Sequence, residues 1–343
     1  MSGTQRTMSK CATAALALAV PAWLAGAGPA LAQNTPVKVA LLTQPGIWDA
    51  GLYAAVDQKF FEAEKISVSF VSPATPADGV KLLASGGVNF ATAHSTEVIT
   101  ARSRGLPVIS IATNHQFGTA GIMIPADAGV TSLKQLEGKT LGVTGIPFNK
   151  TMLEYSLKKS GVDLSKVKIV TVGFTPMPLL LSKRIDGLGD AITWSEPAMY
   201  NIQLKKAADD KSTYKFFAFY ENGVPRYYTF GVVADERALA KDKGDLARRY
   251  LRAWAKGQDW AFKNQAAAVE GMRKHSPELN AAEAAANLAE IARISQSPDT
   301  QAHGLGWQDV KAWAAQEQFM REQKLIPAKV DVTKAITNNY LPK

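Results

Sequence analysis

The stretch KTLGVTGIPFNKTMLEYSLKKSGVDLSKVKIVTVGFTPMPLLLSKRIDGLGDAITWSE, residues 139–196, decides the fold. It holds three short apolar runs, at 140–144, 167–172 and 187–193, with a helical pattern between each pair. This alternation is typical of a parallel sheet whose strands are joined by crossover helices. We therefore predict an α/β fold around this stretch.

The loops that follow these three strands hold the residues expected to face a ligand. Ligands of parallel sheets lie at the carboxyl ends of the strands. Phe148 and Asn149 occupy the first loop, Phe174 the second, and Trp194 and Glu196 the third. The aromatic rings would stack on a planar ligand, and the carboxylate and amide would hydrogen-bond its polar groups. A core position is the alternative for Phe174, and a surface position is the alternative for Glu196.

The helix after the first loop carries two boundary signals. Thr151 and Glu154 have the spacing of a capping box, which predicts that the first helical turn begins there. Thr151 and Asn149 could also offer side chains or free amides to a polar ligand edge. Gly161 stands where a helix C-terminus favours a left-handed residue.

Residues 37–113 contain a second array of the same kind. Its apolar runs lie at 37–42, 66–71, 88–93 and 107–113, with helical patterns between them. The loop after the first run offers Trp48 as a further stacking residue, and the loops after the first and third runs give weaker ligand candidates by position alone: Gln44, Asp49, Ser95 and Thr96. A lone histidine such as His94 or His115 is more often a structural residue.

Two crossing segments, at 114–123 and 223–229, are expected to join the arrays. The resulting protein has two lobes, and the ligand would lie between them. Lobe one comprises residues 33–121 and 228–343, and lobe two comprises residues 122–227. Tyr228, at the second crossing, is a further ligand candidate. The C-terminal part is predicted to be helical at 243–262, 281–294 and 307–321, with a core role for Trp254, Trp260, Trp307, Val310, Trp313 and Phe319.

The N-terminus has the pattern of a secretory signal peptide. Arg6 and Lys10 precede an apolar run at 12–25, and Ala30-Leu-Ala32 forms a small-residue cleavage pattern. We expect residues 1–32 to be removed, leaving a soluble protein in the periplasm. The apolar run is too short and too often interrupted by Gly and Pro for a membrane anchor.

Composition, charge and cysteine content argue against several classes of function. Hydrophobic residues make up 46% of the 343-residue chain and charged residues 20%, which is typical of a packed globular protein. Two of the nine net positive charges belong to the signal peptide, and the remaining basic residues are scattered. A nucleic-acid partner is therefore not expected. Cys11 precedes the apolar run, so no lipid anchor, disulfide or thiolate metal site is expected.

Several segments resemble periplasmic solute-binding proteins of ABC importers. GLYAA at 51–55, KFF at 59–61 and LKQLEGKTLG at 133–142 are similar to the branch that covers nitrate, sulfonate, taurine and thiamine-precursor binders. The resemblance implies the two-lobe periplasmic-binding-protein fold of type 2, with mostly parallel sheets flanked by helices. It also implies a monomer without cofactor that delivers a small molecule to a membrane permease with its ATPase.

Other segments are more specific. GIP at 145–147, VGF at 172–174 and GVPRYY at 223–228 look like the subfamily that binds the pyrimidine precursor of thiamine or related flavin-type heterocycles. The chain departs from that pattern in its first loop, where Leu42-Thr43 replace an Asp-Trp pair and Asp49 replaces a histidine. Trp48 offers an aromatic face from a shifted position.

Two alternatives stay open. A binder of a sulfonate, nitrate or similar anion would need basic residues in the cleft, and Lys150 and Arg226 are the candidates. Fungal enzymes that make the thiamine pyrimidine share the resembling fold, but they carry a cysteine-rich iron motif, which the chain after residue 32 lacks. No catalytic motif or metal-ligand motif is present, so a binding protein rather than an enzyme is predicted.

Overall fold

The computed structural model describes residues 34–342, so the predicted signal peptide with Cys11 and Ala32 lies outside the described residues. The described chain forms two five-stranded sheets. The strands are β1 (Thr35–Ala40), β2 (Ile66–Val71), β3 (Phe90–Ala93), β4 (Val108–His115), β5 (Ala120–Pro125), β6 (Thr140–Val143), β7 (Lys168–Thr171), β8 (Gly187–Ile192), β9 (Tyr214–Ala218) and β10 (Thr229–Asp235).

Each sheet is mostly parallel, as predicted. The first has the order β2-β1-β3-β10-β4, and the second has the order β7-β6-β8-β5-β9. Pairing is parallel between β1 and both β2 and β3, and β10 runs antiparallel to its two neighbours. In the second sheet β5 is the strand that runs against the others. Each reversed strand follows a crossing between the sheets.

Helices cover both sheets. They are α1 (Ala50–Asp57), α2 (Phe60–Ala63), α3 (Pro76–Ala84), α4 (Ser95–Ser103), α5 (Pro147–Lys159), α6 (Met177–Leu181), α7 (Glu196–Gln203), α8 (Glu236–Ala238), α9 (Gly244–Lys263), α10 (Gln265–His275), α11 (Ala281–Ile294), α12 (Pro298–His303) and α13 (Val310–Glu322). Within residues 34–342 no helix has the length and apolar character needed to cross a bilayer.

Helix α5 begins four residues earlier than the sequence predicts. Pro147 opens it, because a proline fits the first helical position, where an N–H would have no intrahelical partner. Thr151 therefore lies inside the helix, and its hydroxyl donates to the Pro147 carbonyl at 3.0 Å instead of capping. The predicted end is confirmed, since Gly161 follows the helix with a φ of 74°.

Two links connect the sheets, one from β4 to β5 and one from β9 to β10. The side chain of Arg226 ties them together: its Nε donates to the Gln116 carbonyl and one of its terminal nitrogens to the Gln116 Oε1, each at 2.7 Å. Gly118 lies so close to Tyr227 that a Cβ would overlap the ring. The links are thus packed side by side between the two sheets.

The C-terminal helices complete the core, with differences from prediction in burial and in the start of α13. Trp254 and Trp313 are buried as expected, whereas Trp260 and Trp307 are half-buried. Helix α13 begins at Val310 rather than at Trp307, because the Asp309 carboxylate accepts from the Lys311 amide and caps it. Val310 is 40% exposed and is not a core residue.

Candidate functional site

Three aromatic rings meet between the two sheets. Trp48 follows β1, Phe230 is the second residue of β10, and Trp194 follows β8 of the second sheet. The Trp194 ring centroid lies 5.5 Å from that of Trp48 and 6.1 Å from that of Phe230. We call these three residues the cleft cluster. Both strand-end loops are placed here as the rule for parallel sheets predicts.

The Trp48 and Trp194 rings touch each other directly. Their planes are inclined by 47°. A planar ligand stacked between two parallel rings would require centroids about 7 Å apart, because each carbon contact is roughly 3.5 Å. The structure thus brings the two predicted residues together, one from each sheet. A ligand between them requires the rings to separate, and its position there stays a prediction.

Phe230 is the member of the cleft cluster that sequence reasoning missed. Its φ is 55°, a left-handed conformation that is strained for a bulky side chain. The Phe230 amide donates to Nδ1 of His94 at 3.2 Å, and this bond holds the backbone in place. In the sequence TFGVVA, Phe230 looks like an ordinary strand residue. No local signal marks its conformation.

Two histidines pack against the Phe230 ring. His94 lies 5.0 Å and His115 4.7 Å from it, centroid to centroid. Burial lowers the pKa of His94, and burial together with His94 lowers the pKa of His115 to about 3. Both rings are therefore neutral at pH 7. Nδ1 of His115 is 2.9 Å from the Thr229 hydroxyl, whereas its buried Nε2 has no partner among the described residues.

Asp49 lies directly beside the cleft cluster. It is 3% exposed, and its Oδ2 accepts from the Gly46 amide at 3.2 Å. Burial raises the pKa of this carboxyl to about 7, against the opposing effect of the Gly46 amide and the nearby Trp48 indole. The indole N–H is close to the carboxyl but does not meet hydrogen-bond geometry. Asp49 is thus poised between its charged and neutral forms at neutral pH.

Glu196 is the second perturbed acid of the site. It is the first residue of α7, and its carboxylate accepts from the Ile192 amide at 2.7 Å. Burial raises its pKa to about 7, and the negative charges of Asp190 and Glu283 add to the shift. In this conformation the predicted ligand acceptor therefore holds the end of β8.

Asp190 organises the loop after β6 and was not singled out from the sequence. It is buried, and its carboxylate accepts from the amide and the hydroxyl of Thr144. The Asn149 side-chain amide also donates to it, at 3.3 Å. Asn149, a predicted ligand residue, is thereby oriented by Asp190. A buried Asp within an apolar strand is the signal that could have indicated this role.

Other predicted site residues lie outside the cleft cluster. Phe148 packs edge-on against Tyr227 at 6.1 Å, and Gln44 is exposed. Phe174 is 78% exposed and forms no aromatic pair within residues 34–342. The stacking roles of Phe148 and Phe174 on a ligand stay predictions.

Ser95 and Tyr228 serve the framework. The Ser95 hydroxyl donates to the Tyr228 carbonyl at 2.8 Å and accepts from the Tyr228 amide at 3.1 Å. The Tyr228 ring stacks on Trp313, and its hydroxyl accepts from the Asp309 amide at 2.9 Å. The structure thus places Tyr228 in the core rather than in the cleft, because its ring is enclosed by α13.

Helix α11 contacts the end of β8 in the second sheet. The Thr193 hydroxyl donates to Glu290 at 3.1 Å, and Glu290 is also held by Arg293. With its side-chain nitrogen facing the Trp194 carbonyl, the buried Asn287 donates a hydrogen bond to that carbonyl. These bonds hold the loop of Trp194 against the helices that follow β10.

The basic residues considered for anion binding are engaged elsewhere. The Lys150 ammonium lies 3.8 Å from Glu154 on the exposed face of α5. Arg226 pairs with Asp299 at 2.8 Å besides its bonds to Gln116. Within residues 34–342, no group of three or more His, Cys, Asp or Glu side chains is arranged to hold a metal ion.

Sequence comparisons identify relatives of the chain. Residues 49–268 match the family described as NMT1/THI5 like. A formylaminopyrimidine-binding protein of Halalkalibacterium halodurans is 30% identical over 71% of this chain and 72% of its own. The riboflavin-binding protein RibY of Chloroflexus aurantiacus is 28% identical over 89% and 86%. A 4-amino-5-hydroxymethyl-2-methylpyrimidine phosphate synthase of Aspergillus parasiticus is 24% identical over 65% and 66%.

Structure comparison identifies the fold. The periplasmic aliphatic sulphonate binding protein SsuA of Escherichia coli superposes with a TM-score of 0.64, covering 90% of this chain and 94% of its own at 12% identity. The two sheets and their two connections match the predicted two-lobe periplasmic-binding-protein fold, which is thereby confirmed.

Proposed function

The chain belongs to the NMT1/THI5-like family, and on that premise we propose that it binds a small heteroaromatic molecule between its lobes. It would act as the extracytoplasmic substrate-binding component of an ABC importer. A pyrimidine precursor of thiamine is the leading ligand, and a flavin-type heterocycle belongs to the same chemical class. The named ligands of the two binding-protein relatives support this class.

The cleft cluster carries the proposal. It combines two tryptophans and a phenylalanine from both sheets with the buried Asp49 and the half-buried Glu196. Aromatic faces stabilise a planar ring, with about 0.5–1.5 kcal/mol for each aromatic pair beyond the buried area. The acids are suited to accept hydrogen bonds from amino groups or ring N–H groups of such a ligand.

We further propose that the two lobes, residues 33–121 with 228–343 and residues 122–227, move about the paired links. Closure on a ligand would present a distinct surface to the permease. The signal-peptide pattern of residues 1–32 supports a periplasmic location. N-terminal sequencing of the exported protein should begin at Gln33, and an uncleaved N-terminus would contradict this location.

The alternatives make different chemical demands. A sulfonate or nitrate would need a cationic cleft, but Lys150 and Arg226 are paired with Glu154 and Asp299. Two acids at the site would repel an anion. The synthase relative keeps an enzymatic role open, and turnover of the bound molecule would be its signature.

The direct test is to identify what the protein carries. The mature protein is purified without denaturation and unfolded, and the released small molecules are identified by mass spectrometry. Calorimetry with 4-amino-5-hydroxymethyl-2-methylpyrimidine, riboflavin and an alkyl sulfonate then ranks the classes. We expect micromolar or tighter binding of a heterocycle and no binding of the sulfonate. Binding of the sulfonate alone would reject the heteroaromatic proposal.

Small-angle scattering tests closure. The radius of gyration should fall when a saturating amount of the identified ligand is added, because ligand between the lobes favours the closed form. An unchanged radius, with binding verified by calorimetry in the same sample, would contradict closure.

A further inference from the structure

A small cavity lies beside Trp48 and Phe230 of the cleft cluster, and Trp194 is not among its lining residues. Its volume is about 20 Å³, enough for one group the size of a water molecule. Trp48 and Phe230 form one wall, while the rest comes from β3, β4, β10, α1 and α9. Both wall residues also pack against Trp194. A ligand substituent in the cavity would therefore belong to a ligand ring that contacts the cleft cluster.

The cavity is polar although the core helices α1 and α9 form part of its lining. Five hydrogen-bonding side chains line it: Asp49, Thr92, Asn114, Tyr250 and Gln258. The Trp48 indole N–H, beside it, is buried without a hydrogen-bond partner. Buried polar groups normally have partners, so convergence of this many on one small space indicates a site for a further hydrogen-bonding group.

The polar lining is held rigidly. The Asn114 side-chain amide donates to Oε1 of Gln258 at 3.3 Å, and its own oxygen accepts from the Ser295 hydroxyl at 3.1 Å. Gly51 lies against Gln258, and a Cβ there would overlap the Gln258 amide. The glycine thus gives Gln258 room to reach the cavity. A preorganised lining loses little entropy when a ligand group binds.

Phe230 is fixed as the cavity wall by its own backbone. Its left-handed φ of 55° is maintained while its amide donates to His94. Strained conformations of this kind persist where surrounding contacts determine them, and they cluster at ligand clamps. His94 is therefore a positioning residue for the Phe230 ring.

The charge of the lining selects the kind of group. Among the ten lining residues Asp49 is the one ionisable acid, and none is Lys or Arg. A carboxyl group accepts hydrogen bonds from an amino group or ring N–H, and it pairs with an amidine-like edge through two parallel bonds. An anionic group would meet the Asp49 carboxyl without any compensating cation.

We propose that this cavity is a recognition pocket for one N–H donor group on the edge of a planar heterocycle, with Asp49 as the specificity-determining residue. An exocyclic amino group has the size that the cavity accepts. The heterocycle itself would stack on Trp48 and Phe230. This inference rests on the proposed function, since it names the chemical feature by which the same cleft would choose among heterocycles.

The test compares two ligands that differ in one group. One is 4-amino-5-hydroxymethyl-2-methylpyrimidine, and the other carries a methyl in place of the 4-amino group. If calorimetry shows that the protein binds riboflavin more tightly than the pyrimidine, riboflavin and 3-methylriboflavin form the equivalent pair. Wild type should prefer the N–H ligand by about tenfold to hundredfold, because a site built for a hydrogen bond rejects an analogue lacking it. A wild-type preference under threefold overturns the inference without any variant.

The variant Asp49→Ala assigns the preference. It should reduce the ratio of the two affinities to below about threefold, because the hydrogen-bond acceptor that separates the two ligands is gone. Asp57→Ala, the same change at an exposed position of α1, is the matched control and should keep the wild-type ratio. Thermal unfolding verifies that each variant is folded.

The outcomes separate the inference from the proposed function. If wild type binds neither ligand of either pair, both are rejected. Binding with a strong N–H preference that persists in Asp49→Ala rejects the pocket and leaves the proposed function in place. Loss of the preference in Asp49→Ala, with the preference kept in Asp57→Ala, supports both the pocket and the proposed function.

Discussion

Two of the protein's aromatic groups look alike in composition and differ in surroundings. The cleft cluster of Trp48, Trp194 and Phe230 joins the two sheets. The core pair, Tyr228 and Trp313, stacks at 6.1 Å, and the Tyr228 hydroxyl accepts from the Asp309 amide. Buried indole N–H groups without partners occur in both places. An unpartnered indole therefore does not by itself identify a ligand residue.

What distinguishes the cleft cluster is its neighbourhood. Asp49 adjoins it and Glu196 lies two residues after Trp194, both with pKa values raised to about 7, and Trp48 and Phe230 line a polar cavity. The core pair instead forms part of the framework that holds the second link between the sheets. The two groups should thus separate cleanly when stability and ligand affinity are measured on the same variants.

The largest effect is expected from Trp313→Ala. This ring is 1% exposed, and its removal leaves a cavity that should lower the free energy of unfolding by about 3–5 kcal/mol. Urea unfolding measures the loss, and calorimetry should find ligand affinity nearly unchanged. Trp313→Phe, which keeps most of the volume, should lose less and serves if the alanine variant does not fold. Weakened binding with normal stability would reverse the assignment of the two groups.

The next largest effect concerns the charge on Asp49. Its raised pKa means that between about pH 4 and 7 the folded state keeps a proton that the unfolded state has released. Stability therefore falls as pH rises through that window, by up to about 1.4 kcal/mol per pH unit, and the loss is complete above it. The difference in free energy of unfolding between Asp49→Asn and wild type should grow in favour of the variant from pH 4.5 to 6.5. The histidines are the same in both proteins, so their contributions cancel in this difference. A difference that is independent of pH would contradict the buried acid.

Arg226→Lys should have an effect of about 1–3 kcal/mol on unfolding. Lysine keeps the charge but not the planar fork that bonds Gln116 twice and pairs with Asp299. Affinity for an uncharged heterocycle should stay within threefold of wild type. A large loss of binding by calorimetry, with unchanged stability, would bring Arg226 back as an anion-binding residue.

The smallest effect in energy is expected in the cleft cluster. Trp48→Ala or Trp194→Ala removes one stacking face, which is of order 1 kcal/mol or more, so affinity should fall roughly tenfold. Tryptophan fluorescence of wild type should be quenched on binding, and calorimetry gives the affinities. Normal binding by both variants would remove the stacking role, and Phe230 would be the next residue to replace.

The sequence by itself determined the strands of both arrays and several of the helices. The strand and helix patterns of 139–196, the left-handed Gly161 and helix α11 were all predicted, because apolar periodicity and glycine punctuation act over a few residues. The two crossings between the sheets were predicted from the break between the two arrays. Trp194 was likewise placed at the edge of its sheet by its position after a strand, independently of the rest of the chain.

Only the tertiary structure decided which side chains meet. Phe230 takes its conformation from His94, 136 residues away, and Asp190 orders a loop 46 residues away. The core burial of Tyr228 likewise depends on α13, while Phe174 stays exposed because no element covers it. Sequence patterns carry the period of burial but not the identity of the packing partner. The polar cavity beside Trp48 and Phe230 exists because α1, α9 and the strands β3, β4 and β10 converge there, which no single stretch encodes.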